Sequence, residues 1–321
     1  MPDSLSEWAG RVRSGDRRAV ARAISAIENG DPAGVKLLKS LFAGASRSQL
    51  IGVTGSPGAG KSTLVERLAV EYRRGGKRVG IIAVDPSSPF SGGAILGDRV
   101  RMQSLATDDG VYIRSMATRG HLGGLAPAAH DVVTVLEAAG CEVVLVETVG
   151  VGQDEVEVAR LADATVLLLA PGMGDDIQTF KAGVMEIADI FVINKADHPG
   201  AARVEQEVTA MLNITPRPDA WRPPVLKTVA TAGEGIGELR HALDQFQAFG
   251  ERTELKRSRE RSKWRARLLG MLRQTLFERA VEERLQQGEI DRYVEDVIGR
   301  RRDPHSVVEE LVAESMLVGR D

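Results

Sequence analysis

The sequence predicts an α/β fold in which a doubly wound, mostly parallel β-sheet carries helical extensions at both ends. Short β-branched runs alternate with helical patterns through the middle of the chain. These runs are apolar throughout instead of alternating with polar residues, which is typical of strands buried on both faces of a parallel sheet. A glycine-rich segment, GSPGAGKS at residues 55–62, lies between the first apolar run and the helical pattern that follows it, as a strand-to-helix turn would.

The first part of the chain, residues 1–48, is predicted to be a small helical extension. Asp16 can cap the helical pattern RRAVARAISAIEN, which ends before Gly30. Asp31 and Pro32 then supply an N-cap and a proline at the first helical position of AGVKLLKSLFAG. These capping signals predict a small helical prefix before the sheet.

The middle part, residues 49–250, is predicted to be the α/β domain. The expected strands are QLIGVTG, RVGIIAVD, VYIRSM, EVVLVET, ATVLLLA, DIFVINK and PVLKTVA. Because helical patterns separate these apolar runs, a doubly wound α/β domain with a parallel sheet is expected.

The last part, residues 251–321, is predicted to be helical, because it holds 16 basic and 15 acidic side chains and no strand-like run. One apolar stripe recurs every four residues, and Asp303-Pro304 begins a final helix. The stripe consists of Trp264, Leu268, Leu272 and Leu276. A helix this charged favours a homodimer built by the stripe, although the stripe can instead pack on the chain's own α/β domain.

Composition limits the functions and partners to be considered. The net charge is only −3, so no nucleic-acid partner is expected, and the basic run at residues 256–267 fits a solvated helix face. The single cysteine, Cys141, fits a reducing compartment and a small core residue. No apolar run approaches the roughly 20 residues of a membrane helix, and acidic residues interrupt the amino terminus. A cytoplasmic protein with no membrane partner is expected.

The glycine-rich segment matches the P-loop pattern G-x-x-x-x-G-K-S in full. Glycines let backbone N–H groups converge on phosphates, and the helix N-terminus adds its positive end. Lys61 is expected to reach the terminal phosphates and to support catalysis, and Ser62 to place its hydroxyl on Mg²⁺. The phosphate-binding residues are predicted to be Gly55, Ser56, Pro57, Gly58, Ala59, Gly60, Lys61, Ser62 and Thr63.

Magnesium needs further anionic ligands, and three acids follow or lie near predicted strand ends. They are Asp85, Asp98 and Glu147. Glu147 begins Glu-Thr-Val-Gly, which has the shape of the loop that contacts the γ-phosphate in GTPases, with Glu in place of the usual Asp. Each acid is a candidate ligand, directly or through water; the alternative for each is a helix N-cap or a solvated loop charge.

The run DIFVINKADH predicts the base that is bound. Asp197 can accept hydrogen bonds from the N1–H and the exocyclic NH₂ of guanine together, whereas adenine offers no matching pair of donors. Asn194 can orient the loop, and the stem of Lys195 can lie over the ring. One strand later, residues 229–231 occupy the place where GTPases bring a backbone amide to the guanine carbonyl. These residues are Val229, Ala230 and Thr231. Bound GTP or GDP with Mg²⁺ is the predicted ligand.

The usual glutamine that aligns the attacking water is absent from its expected position. Many GTPases carry a glutamine directly after the glycine of the γ-phosphate loop, but here that position is Val151. Gln153 is the nearest glutamine and a candidate catalytic residue beside Lys61 and Glu147; alternatively it is a polar residue at a helix start. Slow intrinsic hydrolysis that a partner accelerates is therefore expected.

Six segments together closely resemble the MeaB/MMAA family, the GTPases associated with methylmalonyl-CoA mutase. They are GVTGSPGAGKSTLVERL, AVDPSSPFSGGAILGDRVRM, TRGHLGGLA, VETVGVGQDEVEVA, APGMGDDIQTFKAGVMEIADIFVINKAD and GIGEL. The resemblance implies a G-protein chaperone of an adenosylcobalamin-dependent acyl-CoA mutase that gates cofactor loading and protects or repairs the mutase. It also implies that the matching acids at 85, 98 and 147 belong to the Mg²⁺ and nucleotide-responsive region, and that the tail helices form a homodimer.

The resemblance further implies a switch that faces the mutase in the segment GMGDDIQTFKAG, residues 172–183. This segment follows a buried strand, so it starts on the nucleotide side of the sheet, yet it has no phosphate-binding pattern of its own. Asp175 and Asp176 against Lys181 are expected to exchange partners when the γ-phosphate is lost. A helix start capped by one of the two aspartates is the alternative, and it is compatible with a switch.

Three other functions are alternatives to the chaperone. A GTPase that inserts a metal would be expected to carry a Cys/His cluster, but the histidines are scattered. A kinase linked to basic amino-acid transport would usually favour ATP, whereas the pattern at residues 194–197 favours guanine. A purely structural interaction module would tolerate the loss of Lys61.

Overall fold

The computed structural model describes residues 4–44, 46–85, 102–105, 107–117, 126–148, 154–172, 184–214, 220–281 and 289–317. It divides into two compact units, Met1–Lys263 and Trp264–Asp321. The predicted boundaries at 48/49 and 250/251 stay predictions.

Three helices form the amino-terminal extension: α1 (Leu5–Arg13), α2 (Arg17–Glu28) and α3 (Pro32–Phe42). The Asp16 carboxylate accepts a 2.8 Å hydrogen bond from the amide of Ala19, and the Asp31 carboxylate accepts one of 2.8 Å from the amide of Ala33. These side chains satisfy amides that the first helical turn leaves without a partner. Both predicted caps are confirmed.

The sheet has seven strands in the order β3-β2-β4-β1-β5-β6-β7, and every neighbouring pair is parallel. The strands are β1 (Gln49–Gly55), β2 (Val79–Asp85), β3 (Val111–Ala117), β4 (Val143–Thr148), β5 (Ala164–Leu169), β6 (Ile190–Asn194) and β7 (Val225–Thr228). The predicted doubly wound α/β class is confirmed, and each predicted strand is present.

Helices cover both faces of the sheet, which explains the uninterrupted apolar strands. They are α4 (Lys61–Arg74), α5 (Ala126–Ala138), α6 (Asp154–Leu161), the short α7 (Val184–Ile187), α8 (Ala201–Ile214) and α9 (Ile236–Arg252). Neighbouring residues of one strand serve opposite cores: Leu50 packs with the amino-terminal helices, α5 and α6, whereas Ile51 packs with α4 and α9. Cys141 is buried in the first of these cores, and burial raises the pKa of its thiol to about 12, so it is an inert core residue.

The strand order brings the candidate site together. Because β4, β1, β5, β6 and β7 pair in parallel, the carboxyl ends of β1, β4, β6 and β7 lie along one edge of the sheet. In the register of the sheet, Val53 on β1 pairs with Glu147 on β4, and Asn194 on β6 pairs with Thr228 on β7. This edge is where open parallel sheets bind their ligands.

Three helices form the carboxyl-terminal part: α10 (Leu255–Val281), α11 (Glu289–Ile298) and α12 (Pro304–Leu317). The start of α10 belongs to the first unit. There Arg259 makes two hydrogen bonds, 2.8 and 2.9 Å long, to the carboxylate of Asp189, which is fully buried. Further along α10 the side chains of Leu268, Leu272 and Leu276 are exposed, whereas Trp264 is half-buried, so the three leucines of the predicted stripe form an apolar surface of this helix.

Candidate functional site

Two positions of the P-loop require glycine, because neighbouring atoms lie too close for a Cβ. Gly55 has φ +146°, and a Cβ there would lie 2.1 Å from the carbonyl oxygen of Leu168 on the neighbouring strand. Gly60 has φ +96°, and a Cβ there would lie 2.5 Å from the Nδ2 of Asn194. Any larger residue would therefore push the loop away from the sheet or from the Asn194 side chain.

Lys61 is folded over the loop that precedes it. Its Nζ donates hydrogen bonds to the carbonyl oxygens of Gly55 at 2.7 Å and Ser56 at 2.9 Å, and only 6% of the residue is exposed. A buried ammonium group held this way is already desolvated and oriented when an anion arrives. The arrangement can place a positive charge against the terminal phosphates of a nucleotide.

The rest of the loop presents backbone to solvent at the start of α4. Pro57 and Gly58 are exposed, Ser56 and Ala59 are buried, and Ser62 and Thr63 are half-buried in the first helical turn. The helix begins at Lys61, and its capping position, Gly60, has no side chain to satisfy the first amides. These amides and the positive end of the helix dipole favour phosphate.

Ser62 and Glu147 form the candidate metal site. The Ser62 hydroxyl donates a 2.6 Å hydrogen bond to Glu147 Oε1, and Glu147 is 6% exposed at the end of β4. A hydroxyl beside a carboxylate is the hard oxygen chemistry that Mg²⁺ prefers, so these residues fit the ion. Asp85 ends β2, which pairs with β4, but its side chain lies outside the described residues, as do Asp98 and Gln153.

Asn194 connects three segments of the site. Its Nδ2 donates to the carbonyl oxygen of Ala59 at 2.8 Å, and its Oδ1 accepts from the Thr228 hydroxyl and the Ala230 amide, each at 3.1 Å. The side chain is buried, so these partners replace water. Asn194 thus ties the P-loop and the loop after β7 to the end of β6.

Lys195 and Asp197 follow directly. Lys195 has φ +55°, an uncommon conformation for a residue with a side chain, and its Nζ donates a 2.9 Å hydrogen bond to the carbonyl oxygen of Gly58. The lysine stem therefore crosses the space between the end of β6 and the P-loop, where it can lie over a base. Asp197 is exposed in the turn that follows.

The loop after β7 is a tight turn. Val229 and Glu234 form an isolated antiparallel bridge around it. Gly235 closes the loop at φ +75°, where a Cβ would lie 2.1 Å from the carbonyl oxygen of Lys227. Ala230 is buried and Thr231 is exposed, so the loop has one side against the core and one side open.

Sequence reasoning did not single out Arg67 or Thr228. Arg67 lies on α4, and its guanidinium donates to the carbonyl oxygens of Ala230 at 3.2 Å and Thr231 at 2.8 Å. An exposed arginine on a charged helix is usually read as solvated, and only the packing of α4 beside the loop after β7 identifies its partners. Thr228 is the last residue of a strand, and its register with Asn194 would have been the signal.

The predicted switch residues Asp175, Asp176 and Lys181 lie outside the described residues. Within the described ranges, no group of three or more His, Cys, Asp or Glu side chains is arranged to hold a metal ion. None of the helices described is long and apolar enough to cross a membrane.

A parallel sheet with a phosphate cradle after β1 and an Asn-Lys-Ala-Asp turn after β6 defines a P-loop GTPase. The chain belongs to the MeaB family: the model of that family, "Methylmalonyl Co-A mutase-associated GTPase MeaB", matches residues 20–285. The chain therefore binds and hydrolyses GTP, and the sequence-based recognition of the family is confirmed.

Individual relatives agree with this family. A protein of Pyrococcus abyssi named as a GTPase is 45% identical over 98% of this chain and 97% of its own length. GTPase ArgK of Escherichia coli is 42% identical over 76% of each chain. The "Methylmalonic aciduria type A homolog, mitochondrial" of Caenorhabditis elegans is 37% identical over 78% of this chain and 67% of its own.

One solved structure resembles the whole fold. It is the crystal structure of a protein described as a LAO/AO transport system kinase, which superposes with a TM-score of 0.73 at 29% identity and covers 96% of each chain. The likeness extends over both terminal helical parts.

Proposed function

We propose that this GTPase is a chaperone of an adenosylcobalamin-dependent acyl-CoA mutase, either methylmalonyl-CoA mutase or a close relative. It gates loading of the cofactor and protects or reactivates the mutase as GTP is bound and hydrolysed. Two names support the proposal: the family is described by its association with methylmalonyl-CoA mutase, and the Caenorhabditis elegans relative is named for methylmalonic aciduria.

The observation within the chain that carries the proposal is the hydrogen bond between Ser62 and Glu147. It joins the phosphate cradle to the carboxyl end of β4, and the predicted γ-phosphate loop begins at Glu147. A nucleotide that engages Ser62 must compete with this bond or extend it. The position of Glu147 therefore depends on what the cradle holds, which is the differential contact that a nucleotide switch requires.

The chain's own residues divide the work of nucleotide binding. The P-loop, residues 55–63 including Lys61, binds the phosphates. Asn194, Lys195 and Asp197 select the base together with residues 229–231. Mg²⁺ is held by Ser62 and Glu147, with Asp85 and Asp98 as further ligands, directly or through water. When bound, the ion neutralises charge that develops on the phosphates.

Hydrolysis itself is proposed to be slow without the partner. Gln153 is the candidate for aligning the attacking water, in a position shifted by two residues from the usual glutamine. The mutase is proposed to accelerate the reaction by completing the site. Asp175, Asp176 and Lys181 act as the switch that carries the nucleotide state to the mutase surface.

The active assembly is proposed to be a homodimer built mainly by residues 251–321. The exposed apolar side chains along α10 support this, because a continuous stripe of Leu268, Leu272 and Leu276 in water is unfavourable. Light scattering on the full chain should give twice the monomer mass. A monomer at micromolar concentration would contradict this part of the proposal.

Co-purification tests the partner directly. Tagged chain is incubated with methylmalonyl-CoA mutase in the presence of GDP or of a non-hydrolysable GTP analogue, and the retained mutase is measured. We expect retention to differ clearly between the two nucleotides, and Lys61→Ala to remove the difference. Equal or absent retention with both nucleotides, repeated with other adenosylcobalamin-dependent acyl-CoA mutases, would contradict the proposed function.

A further inference from the structure

We propose that Arg67 is a positioning residue for recognition of the guanine 6-carbonyl. Its Nε and Nη2 donate to two consecutive carbonyl oxygens, Ala230 at 3.2 Å and Thr231 at 2.8 Å. The guanidinium of this α4 residue therefore holds the backbone of the loop after β7 by two hydrogen bonds. The inference rests on the assignment of residues 229–231 to the guanine carbonyl, and does not depend on the mutase.

The loop that Arg67 contacts has one side packed on the core and one side exposed to water. Its inner side is fixed, because Ala230 is buried and its amide donates to Asn194 Oδ1. Thr231 is exposed, so its backbone faces water instead of the core. Arg67 adds the 2.8 Å hydrogen bond to the Thr231 carbonyl to the turn's own hydrogen bonds, in which the Ala232 and Gly233 amides donate to the Val229 carbonyl at 2.9 Å. Because the Ala230 carbonyl shares its peptide unit with the Thr231 amide, holding that carbonyl sets the direction in which the Thr231 amide points.

The geometry of arginine suits this task. Its planar guanidinium offers several N–H donors in a fixed fork, so two neighbouring carbonyl oxygens can be held at once. The carbonyl of Ala230 also accepts from the Gly233 amide at 3.2 Å, so the same oxygen belongs to the turn and to the contact with Arg67. A lysine at position 67 could replace the charge but not the two-point contact.

Arg67 also couples the base loop to the phosphate site. It lies six residues after Lys61 on the same helix, which is about 9 Å along the helix axis. A movement of the first turn of α4 against the phosphates would therefore be transmitted to the loop that contacts the base. Asn194 makes the second connection, from the P-loop at Ala59 to the amide of Ala230.

The experiment compares nucleotides that differ at one atom of the base. Binding of GDP, 6-thio-GDP and IDP is measured without mutase for the wild type, Arg67→Ala and Arg67→Lys. Sulfur in place of the 6-oxygen weakens the hydrogen-bond acceptor, and inosine removes the 2-amino group that Asp197 is assigned to bind. Arg74→Ala is the matched control, because Arg74 lies on the same helix, is exposed and pairs only with Glu71 among the contacts described.

We expect Arg67→Ala to weaken GDP binding about 10-fold, since a charge-assisted contact that orders the loop is lost. The ratio of the affinity for GDP to the affinity for 6-thio-GDP should fall towards one, while the ratio of the affinity for GDP to that for IDP is kept. Arg67→Lys should show the same loss of preference in part, and Arg74→Ala should behave as wild type. A general loosening of the fold would lower all three affinities together.

An unchanged preference for GDP over 6-thio-GDP in both Arg67 variants would overturn the inference, whatever happens to overall affinity. Asp197→Asn separates this failure from a wrong site assignment. If Asp197→Asn lowers the preference for GDP over IDP and the Arg67 variants leave the 6-position preference intact, the guanine site stands and the role of Arg67 falls. If neither the Arg67 variants nor Asp197→Asn alters any preference between the nucleotides, the guanine site itself is misplaced and the inference falls with it.

Discussion

The Ser62 hydroxyl donates a 2.6 Å hydrogen bond to Glu147 Oε1, joining the first turn of α4 to the carboxyl end of β4. The two residues are 85 positions apart in sequence, and the parallel pairing of β1 with β4 brings them together. The bond gives the phosphate cradle a direct connection to the strand end that precedes the predicted γ-phosphate loop.

Replacing Glu147 by glutamine should impair Mg²⁺-dependent hydrolysis. The change keeps the shape of the side chain and removes the charge, so we expect hydrolysis to fall about 10- to 100-fold and the Mg²⁺ requirement to rise. A Mg²⁺ titration of the GTPase rate measures both. Glu142→Gln is the matched control, since Glu142 directly precedes β4 at the opposite end of the strand. A wild-type Mg²⁺ titration curve for Glu147→Gln would remove this residue from the metal site.

Replacing Asn194 by alanine should destabilise the protein as well as weaken nucleotide binding. The variant leaves the Ala59 carbonyl and the Ala230 amide without the partner that the buried Asn194 supplies. We expect the free energy of unfolding of the nucleotide-free protein to fall by about 2–4 kcal/mol. Urea unfolding measures it, and the exposed helical Asn213→Ala should stay within about 0.5 kcal/mol of wild type. Equal effects of the two substitutions would mean that these hydrogen bonds do not stabilise the fold.

Replacing Asp197 by asparagine should change the preferred base from guanine towards xanthine. Xanthine carries a carbonyl where guanine carries its exocyclic amino group, and an amide NH₂ can donate to that carbonyl. Competition between GDP and XDP for the wild type and the variant measures the change. A variant that retains wild-type GDP affinity and gains none for XDP would show that Asp197 does not bind the base.

Replacing Arg259 by alanine should destabilise the first unit strongly. The variant leaves the Asp189 carboxylate, which is 0% exposed, without its two guanidinium hydrogen bonds. Removing one partner of a buried ion pair costs about 3–5 kcal/mol. Because the Thr165 amide still donates to Asp189 Oδ2 at 3.0 Å, we expect a loss of free energy of unfolding towards the lower end of that range. Urea unfolding tests it, with the exposed Arg257→Ala of the same helix as control. Arg259→Ala as stable as Arg257→Ala would mean that Asp189 finds another partner or binds a proton at little cost.

Much of the fold follows from local sequence patterns. Each apolar run became a strand, because burial on both faces of a parallel sheet requires uninterrupted apolar residues, as in the run that forms β5. Asp16 and Asp31 cap helices because their short carboxylates reach amides two or three residues ahead. The phosphate cradle was equally predictable, since a strand, a glycine-rich turn and a helix are adjacent in the chain.

The contacts between distant segments could not be predicted in this way. Arg67 contacts a loop more than 160 residues away, and Arg259 contacts Asp189 across 70 positions. Neither pair has a spacing pattern, because helix packing and strand order decide which of the many charged residues meet. Separate helices α11 and α12 after the long α10 were also only partly anticipated, since the start of α12 at Pro304 was predicted and α11 was not.

The rate of GTP hydrolysis measured with and without methylmalonyl-CoA mutase shows whether this GTPase serves the mutase. We expect slow hydrolysis by the wild type alone and a large stimulation by the mutase. Lys181→Ala should keep the intrinsic rate within a few-fold of wild type while losing most of the stimulation, and Lys61→Ala should abolish both rates. A wild-type rate that neither methylmalonyl-CoA mutase nor any other adenosylcobalamin-dependent acyl-CoA mutase changes would contradict the account.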